Sequence, residues 1–149
     1  MEETITQGIK IQSTGTRMDM INRSFDMIYY YPLGVGAGNW QLVANKINPG
    51  HLMNAQNFYP HNLFLEVACE YGLHSLLILI VLLIYLLHLS YYKMLKYKHN
   101  ITSLYPLLFY LLLFFLFNSL VSGMLNDSRL LFVIMSFILI HKPLIITDE

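Results

Sequence analysis

The chain has 149 residues, of which 56% are hydrophobic and 12% charged, and its mean hydropathy is +0.50. Nine basic side chains balance nine acidic ones, so no net field draws in nucleic acid, and the low charge excludes an ordinary soluble domain, where about a quarter of residues are charged. Cys69, the single cysteine, excludes an internal disulfide and a multi-cysteine metal site.

The N-terminus is acidic and no apolar run follows it, so it does not read as a signal peptide. Thr14 and Thr16 offer N-caps for a helix over roughly Arg17 to Tyr30. Ile21, Phe25 and Ile28 recur at helical spacing and predict its apolar face, with Arg23 and Asp26 elsewhere. Pro32 ends the helix, because the residue before a proline disfavours helical angles. The run Gly34-Val35-Gly36-Ala37-Gly38-Asn39-Trp40 then reads as a turn-rich loop. As a dinucleotide fingerprint it lacks the third glycine at the required offset and follows a helix rather than a strand, and no Lys-Ser or Lys-Thr follows to make a phosphate loop. Alternating glycines let a backbone take positive φ or approach another surface closely.

Asn45 to Asn57, with Pro49-Gly50 inside it, reads as an exposed connection. Tyr59-Pro60-His61-Asn62 opens a second helix, Leu63 to Tyr71, which Asn62 caps and which pauses at Gly72. Its apolar side is Leu63, Phe64, Val67, Ala68 and Tyr71. Glu66 and Glu70 stand at i, i+4 on one face, which reads as solvated rather than as an acid–base pair.

Three apolar segments follow, at about 73–92, 104–123 and 130–146. The first, Leu73 to Tyr92, has no acid or base but His74 and His88 over twenty residues and suits a hydrocarbon core of about 30 Å. The second, Leu104 to Gly123, has Asn118 and Ser119 as its late polar pair. The third begins at Leu130 and is short unless His141 and Lys142 snorkel to the interface. Lys93, Lys96, Lys98 and His99 fill the loop between the first two segments, whereas Asp127 and Arg129 cancel in the next. The positive-inside rule therefore predicts a cytoplasmic lysine loop and an extracytoplasmic (periplasmic) segment 1–72. Nothing in the sequence would export that segment, so the chain is expected to be the C-terminal part of a longer multi-pass protein. The expected fold class is an all-α membrane protein: three transmembrane helices after an extracytoplasmic helical and loop segment.

The six histidines show no HExxH motif and no cluster, and Cys69 has no partner at ligand spacing, so no metal and no cofactor is predicted. No serine nucleophile elbow occurs. His61 stands apart: it opens a helix about a dozen residues before an apolar span, and a neutral imidazole is a competent base near pH 7. Read from the residues alone, it is rather a structural histidine, and Arg17 serves equally as an arginine reaching lipid phosphates.

Three ordered blocks resemble the O-antigen ligase and polymerase family. These are Thr14-Gly15-Thr16-Arg17, the stretch Pro32-Leu33-Gly34-Val35-Gly36-Ala37-Gly38-Asn39-Trp40, and His61-Asn62 followed after nine residues by Gly72. The ligase signature usually closes on glycine three positions further, where this chain has Ser75. The resemblance implies part of a larger multi-pass GT-C-like fold in the bacterial cytoplasmic (inner) membrane. It also implies metal-independent, inverting glycosyl transfer during surface polysaccharide and lipopolysaccharide assembly. The donor would be a glycan on undecaprenyl pyrophosphate, and the acceptor a hydroxyl of lipid A-core or another glycan. By the same resemblance His61 would assist deprotonation of the acceptor and Arg17 would bind the pyrophosphate. Asn62 would orient His61 or cap the helix, and the Gly34, Gly36 and Gly38 loop would shape the acceptor region. Three spans are too few to enclose a lipid donor, so this chain alone is expected to be inactive. The alternative is a non-catalytic small membrane protein or degenerate remnant.

The orientation has a direct check. Cysteines introduced at Asn57 and at Lys96 are expected to label from outside the cell with an impermeant maleimide in the first case only; the reverse pattern would overturn the topology.

Overall fold

A computed structural model describes residues 17–47, 59–98, 103–121, 125 and 127–141. These residues are helical, with no strand among them. Five helices follow one another: α1 over residues 17–30, α2 Trp40–Ile47, α3 Leu63–Lys96, α4 Tyr105–Val121 and α5 Arg129–Ile140. The chain divides into two compact units, Met1–Leu76 and Leu77–Glu149. The expected Thr14 and Thr16 caps and most of the expected polar connection lie outside the described residues.

In the first unit, Met20, Met27, Trp40, Ala44 and Cys69 form the core, with Ile28, Val35, Val43, Ile47 and Tyr59 packed against it. The inward face of α1 is therefore Met20, Arg23, Ser24 and Met27; of the expected Ile21, Phe25 and Ile28 face, Ile28 packs against the core, Ile21 is half-buried and Phe25 is exposed. The reason is chemical. What α1 meets is polar as well as apolar: the Ala44 carbonyl, the Trp40 indole and the Cys69 thiol each need a partner, and Arg23 and Ser24 supply them. A second correction concerns Asn45 to Ile47, read as part of an exposed connection. They are the last turn of α2, whose Trp40, Val43, Ala44 and Ile47 make a stripe at i, i+3, i+4 and i+7.

The expected helix from Leu63 and the expected span from Leu73 follow one another as the two parts of α3, which separate where Gly72 leaves helical geometry. The pause at Gly72 is a kink, with φ 86° and ψ 170°. In an unbroken helix the Leu73 N–H would donate to the Cys69 carbonyl. Here Leu73 N–H donates to Pro32 O at 2.9 Å, while the Cys69 and Glu70 carbonyls accept from Val35 and Gly36 N–H, both at 2.9 Å. The glycine loop thus supplies partners that the kink takes from the helix. The approach is close enough that a Cβ on Gly34 would lie 2.6 Å from Glu70 O and Gly72 N, and one on Gly72 would lie 2.5 Å from Leu33 C.

In the second unit, Leu79, Leu83, Leu86 and Ser90 turn inward from α3. Tyr105, Leu108, Leu112 and Ser119 do so from α4, and Leu131, Met135 and Ile138 from α5. Each helix buries one stripe and leaves the other faces apolar and exposed, among them Ile78, Val81, Phe114, Phe117 and Phe137. A helix apolar all round belongs in a large core or in lipid. Among the described residues α3 is long and apolar enough to cross a membrane; α4 with 17 residues and α5 with 12 are shorter, and the expected spans 104–123 and 130–146 run on into residues outside those described.

Alanine at Gly34 or Gly72 is expected to destabilise the protein by about 2–5 kcal/mol, the left-handed backbone and the overpacking each contributing. Gly38 also has positive φ, 74°, but nothing stands within 4 Å of its Cβ position, so Gly38→Ala should cost only about 1–2 kcal/mol. Thermal unfolding of the three variants in detergent measures the difference; equal losses would remove the close-approach explanation.

Candidate functional site

The residues singled out in the sequence fall in the first unit. Arg17 opens the described part of α1 and is exposed. His61 directly precedes the cap of α3, is half-buried, and has φ 48°, the left-handed region that a side chain other than glycine seldom adopts. Neither makes a side-chain hydrogen bond or ion pair with another described residue. No hydrogen bond or ion pair joins them to each other.

Asn62 is the N-cap of α3: its Oδ1 accepts the Phe64 N–H at 3.0 Å and the Leu65 N–H at 3.1 Å, the arrangement that satisfies free donors in a first turn. Of its two expected roles the structure therefore displays the capping one. The cap fixes where the helix starts, and so where His61 leaves it. Gly34, Gly36 and Gly38 all have positive φ, at 91°, 91° and 74°. They differ in duty: Gly34 packs against the α3 kink, Gly36 donates to Glu70 O, and Gly38 stands in open space just before α2.

A buried polar centre lies beneath this loop. Glu66 and Glu70, read in the sequence as a solvated face, are 7% and 4% exposed. They are covered because residues 66–70 of α3 are buried on every side. Tyr71, assigned to the apolar side, is 39% exposed instead. A Glu70 carboxylate oxygen accepts the Trp40 N–H at 3.4 Å, at the N-terminus of α2. Arg23, 4% exposed, donates through Nη1 to the Ala44 carbonyl at 3.2 Å, in the last turn of α2, and through Nε to Asp19 at 2.9 Å. Ser24 joins three helices: its hydroxyl accepts the Trp40 indole N–H at 3.1 Å, and its carbonyl accepts the Cys69 thiol at 3.4 Å.

The electrostatics follow from this packing. Burial pushes the Cys69 thiol up to about 11; the hydrogen-bonding groups of Ser24 and Trp40 pull it back in part, and the Glu70 and Glu66 charges add to the rise. Burial, then the charges of Glu70 and Glu66, also raise the Tyr59 hydroxyl above its usual value. Tyr59 stacks on Trp40 with ring centroids 6.1 Å apart. The sequence gives Arg23 and Trp40 no role of their own and places Glu70 on a solvated face. Residue order gave no signal for burial of the glutamates, because Asn62, Glu66, Glu70 and His74 recur at i, i+4 as a solvated polar stripe would.

A family model described as O-antigen ligase matches residues 4–80. The match takes in the glycine loop, the His61-Asn62 pair, the Gly72 kink and the buried polar centre. No curated protein and no solved structure matches the chain significantly.

Cys69 gives a pH prediction. Its folded value, about 11, lies above an ordinary value of 9.0, so between those limits the unfolded chain has lost a proton that the folded chain retains. Stability is then unaffected by this group below about pH 9 and falls as pH rises from 9 to 11. Cys69→Ala is expected to remove that part of the slope in unfolding measured against pH, while the fall from Tyr59 at higher pH remains. An unchanged slope would mean that the thiol ionises freely in the folded state.

Proposed function

The chain belongs to the O-antigen ligase family, and from that premise we propose that it carries part of the site of a glycosyltransferase that moves a glycan from undecaprenyl pyrophosphate to a sugar hydroxyl at the outer face of the cytoplasmic membrane. Family membership itself carries the coarser statement, a glycosyltransferase-like role in polysaccharide assembly at a bacterial membrane.

In the proposed reaction His61 takes the proton of the acceptor hydroxyl as its oxygen attacks the anomeric carbon. The bond from that carbon to the pyrophosphate oxygen breaks, undecaprenyl pyrophosphate leaves, and the configuration inverts. Arg17 holds the departing diphosphate, a task that suits a guanidinium because its planar fork pairs with two phosphate oxygens at once. Asn62 fixes the start of α3 behind His61. Gly34, Gly36 and Gly38 shape the acceptor side, and Gly34 locks that loop to the kink. Segment 1–72 lies on the extracytoplasmic side in this reading.

The observation that carries the proposal is the left-handed backbone of His61, half-buried and set against a capped helix start inside the matched region. Backbone strain at a non-glycine residue clusters at functional sites, where surrounding structure sustains it. Arg17 adds a consistent feature. It is exposed and without a partner among the described residues, as a group meant for a ligand phosphate would be.

The test is genetic. His61→Ala and Arg17→Ala in the native gene context are expected to abolish the surface polysaccharide ladder on gels; loss of a general base costs about 10²–10⁴-fold in rate. Asn62→Ala should act through the cap, at about 1 kcal/mol of stability, with Asn62→Asp restoring it. Ladders unchanged in both His61 and Arg17 variants would end the catalytic reading in favour of a non-catalytic membrane protein.

A further inference from the structure

We propose that the second unit binds the phosphate of an anionic phospholipid, at the end where α3, α4 and α5 bring Lys93, Lys96 and His141 around one cavity. The proposal rests on these helices lying in a bilayer, and not on the chemistry assigned to His61 and Arg17.

The cavity has a volume of about 220 Å³ and is lined by Leu89, Lys93, Lys96, Tyr97, Tyr105 and His141, with Tyr92 at its side. It is built rather than incidental. Lys93 is half-buried and donates through Nζ to Ile138 O at 2.9 Å, which ties α3 to the last turn of α5. Its ammonium also stands 5.3 Å from the centroid of the Tyr105 ring. The Tyr105 hydroxyl in turn donates to His141 O at 2.9 Å, and the His141 and Tyr105 rings meet edge to face at 5.1 Å. The Tyr97 ring stacks on Tyr105, and Lys96 lies over Tyr97 at 5.4 Å. Three helix ends are thereby pinned around the space.

Its charge points to an anion. An ammonium carries three donors, and Lys93 uses one on Ile138, so both lysines have donors left over. Neither forms an ion pair with a carboxylate among the described residues. Asp127 is the one acid among the described residues of this unit, and it precedes α5, whose 12 residues put about 18 Å of helix between it and His141. Backbone carbonyls at the ends of α3 and α5 offset part of the positive field but carry no formal charge. Two ammonium groups one helical turn apart, walled by aromatic rings, are completed by a phosphate.

The apolar wall separates a lipid from a free phosphate. Leu89 and Tyr92 flank the lysines, and Tyr91, Tyr92 and Leu95 on α3 are exposed. A phosphodiester with a glycerol and acyl chains can place its phosphate at the lysines and its chains along that surface. The space corresponds to about seven water volumes, which is room for a headgroup and not for whole acyl chains. Basic pockets between membrane helices are known to take anionic headgroups. Lys98 supplies the contrast: like Lys96 it is exposed, but it stands outside the cavity and is a lysine of the ordinary snorkelling kind.

The experiment uses the complete protein in detergent with equal amounts of phosphatidylglycerol and phosphatidylcholine, and reads retained lipid by native mass spectrometry. Preferential retention of one phosphatidylglycerol is expected. Lys96→Gln should weaken it about fivefold, the effect of one lysine near an anionic surface. Lys96→Arg should restore it, and Lys98→Gln should leave it unchanged. Equal retention of the two lipids, or an equal loss from Lys98→Gln, would overturn the site. Displacement of the lipid by millimolar inorganic phosphate would make it a free-phosphate site and overturn the lipid assignment. Since retained lipid is measured rather than surface polysaccharide, this proposal can fail while transfer persists, and the reverse.

Discussion

Two backbones touch at Gly34 and Gly72, and the arrangement of the first unit depends on that contact. A long helix cannot bend sharply without losing hydrogen bonds at the bend, and a buried amide left without a partner costs more than a made bond returns. The loop resolves this by lying across the bend and exchanging bonds with it: Leu73 gives its N–H to Pro32, while Val35 and Gly36 give theirs to Cys69 and Glu70. Exchange at that range excludes a side chain from either backbone at the point of contact, and both residues also hold positive φ. Each glycine is thus required twice, once for space and once for conformation. The dependence is mutual. Without the kink the loop amides would have no acceptors, and without the loop the kink would leave carbonyls unpaired.

From this contact the rest of the unit follows in order. Glu70, whose carbonyl accepts from Gly36, also turns its carboxylate to the N-terminus of α2. Arg23 meets the carbonyl of Ala44 near the other end of α2. A helix of eight residues is marginal by itself, since nucleation is costly and few bonds reward it. Opposite charges at its two ends, each matching the helix dipole there, are the right aid for so short an element. The buried Trp40 ring then anchors it, with its indole N–H on Ser24. On the other side of the kink from the membrane-length stretch, residues 63–71 run about 13 Å back to the Asn62 cap and His61. The posture of His61 is thereby referred to the same glycine contact.

Much of this was legible from residue order, and the failures share a cause. The Asn62 cap, the glycine loop and the break at Gly72 are local signals, readable from residue type and spacing. So was the apolar character of α3, which has no Asp, Glu, Lys or Arg between Gly72 and Lys93. The α1 face was misread because hydrophobicity was the only criterion applied: Phe25 and Ile21 are more apolar than Ser24 and Arg23, yet the partners awaiting α1 are a carbonyl, a thiol and an indole. Glu66 and Glu70 were misread for the same reason, as charge was equated with solvent. The α2 helix was missed because its stripe spans only two turns and because the two ends that sustain it, Glu70 and Arg23, are distant in sequence. A reading confined to neighbours along the chain has no access to a cap supplied from thirty residues away. Which elements meet is a tertiary fact.

The two units solve opposite problems with the same secondary structure. The first buries carboxylates, an arginine and hydroxyls at its centre and gives each a partner; the second places leucine, phenylalanine and valine on its outside and keeps serine, tyrosine and lysine contacts within. A polar interior costs stability unless its groups are satisfied, but once satisfied it specifies a single arrangement more sharply than interchangeable hydrocarbon does. An apolar exterior is unstable in water and stable in lipid. The donor proposed for this protein has the same division, a polyprenyl tail joined through a diphosphate to a hydrophilic glycan. A transferase for such a molecule needs one part that tolerates hydrocarbon and another that can hold polar groups in fixed positions. The Gly34–Gly72 contact belongs to the second requirement, because it breaks the helix and ties its first turns, with Asn62 and His61 before them, to a loop held by backbone hydrogen bonds.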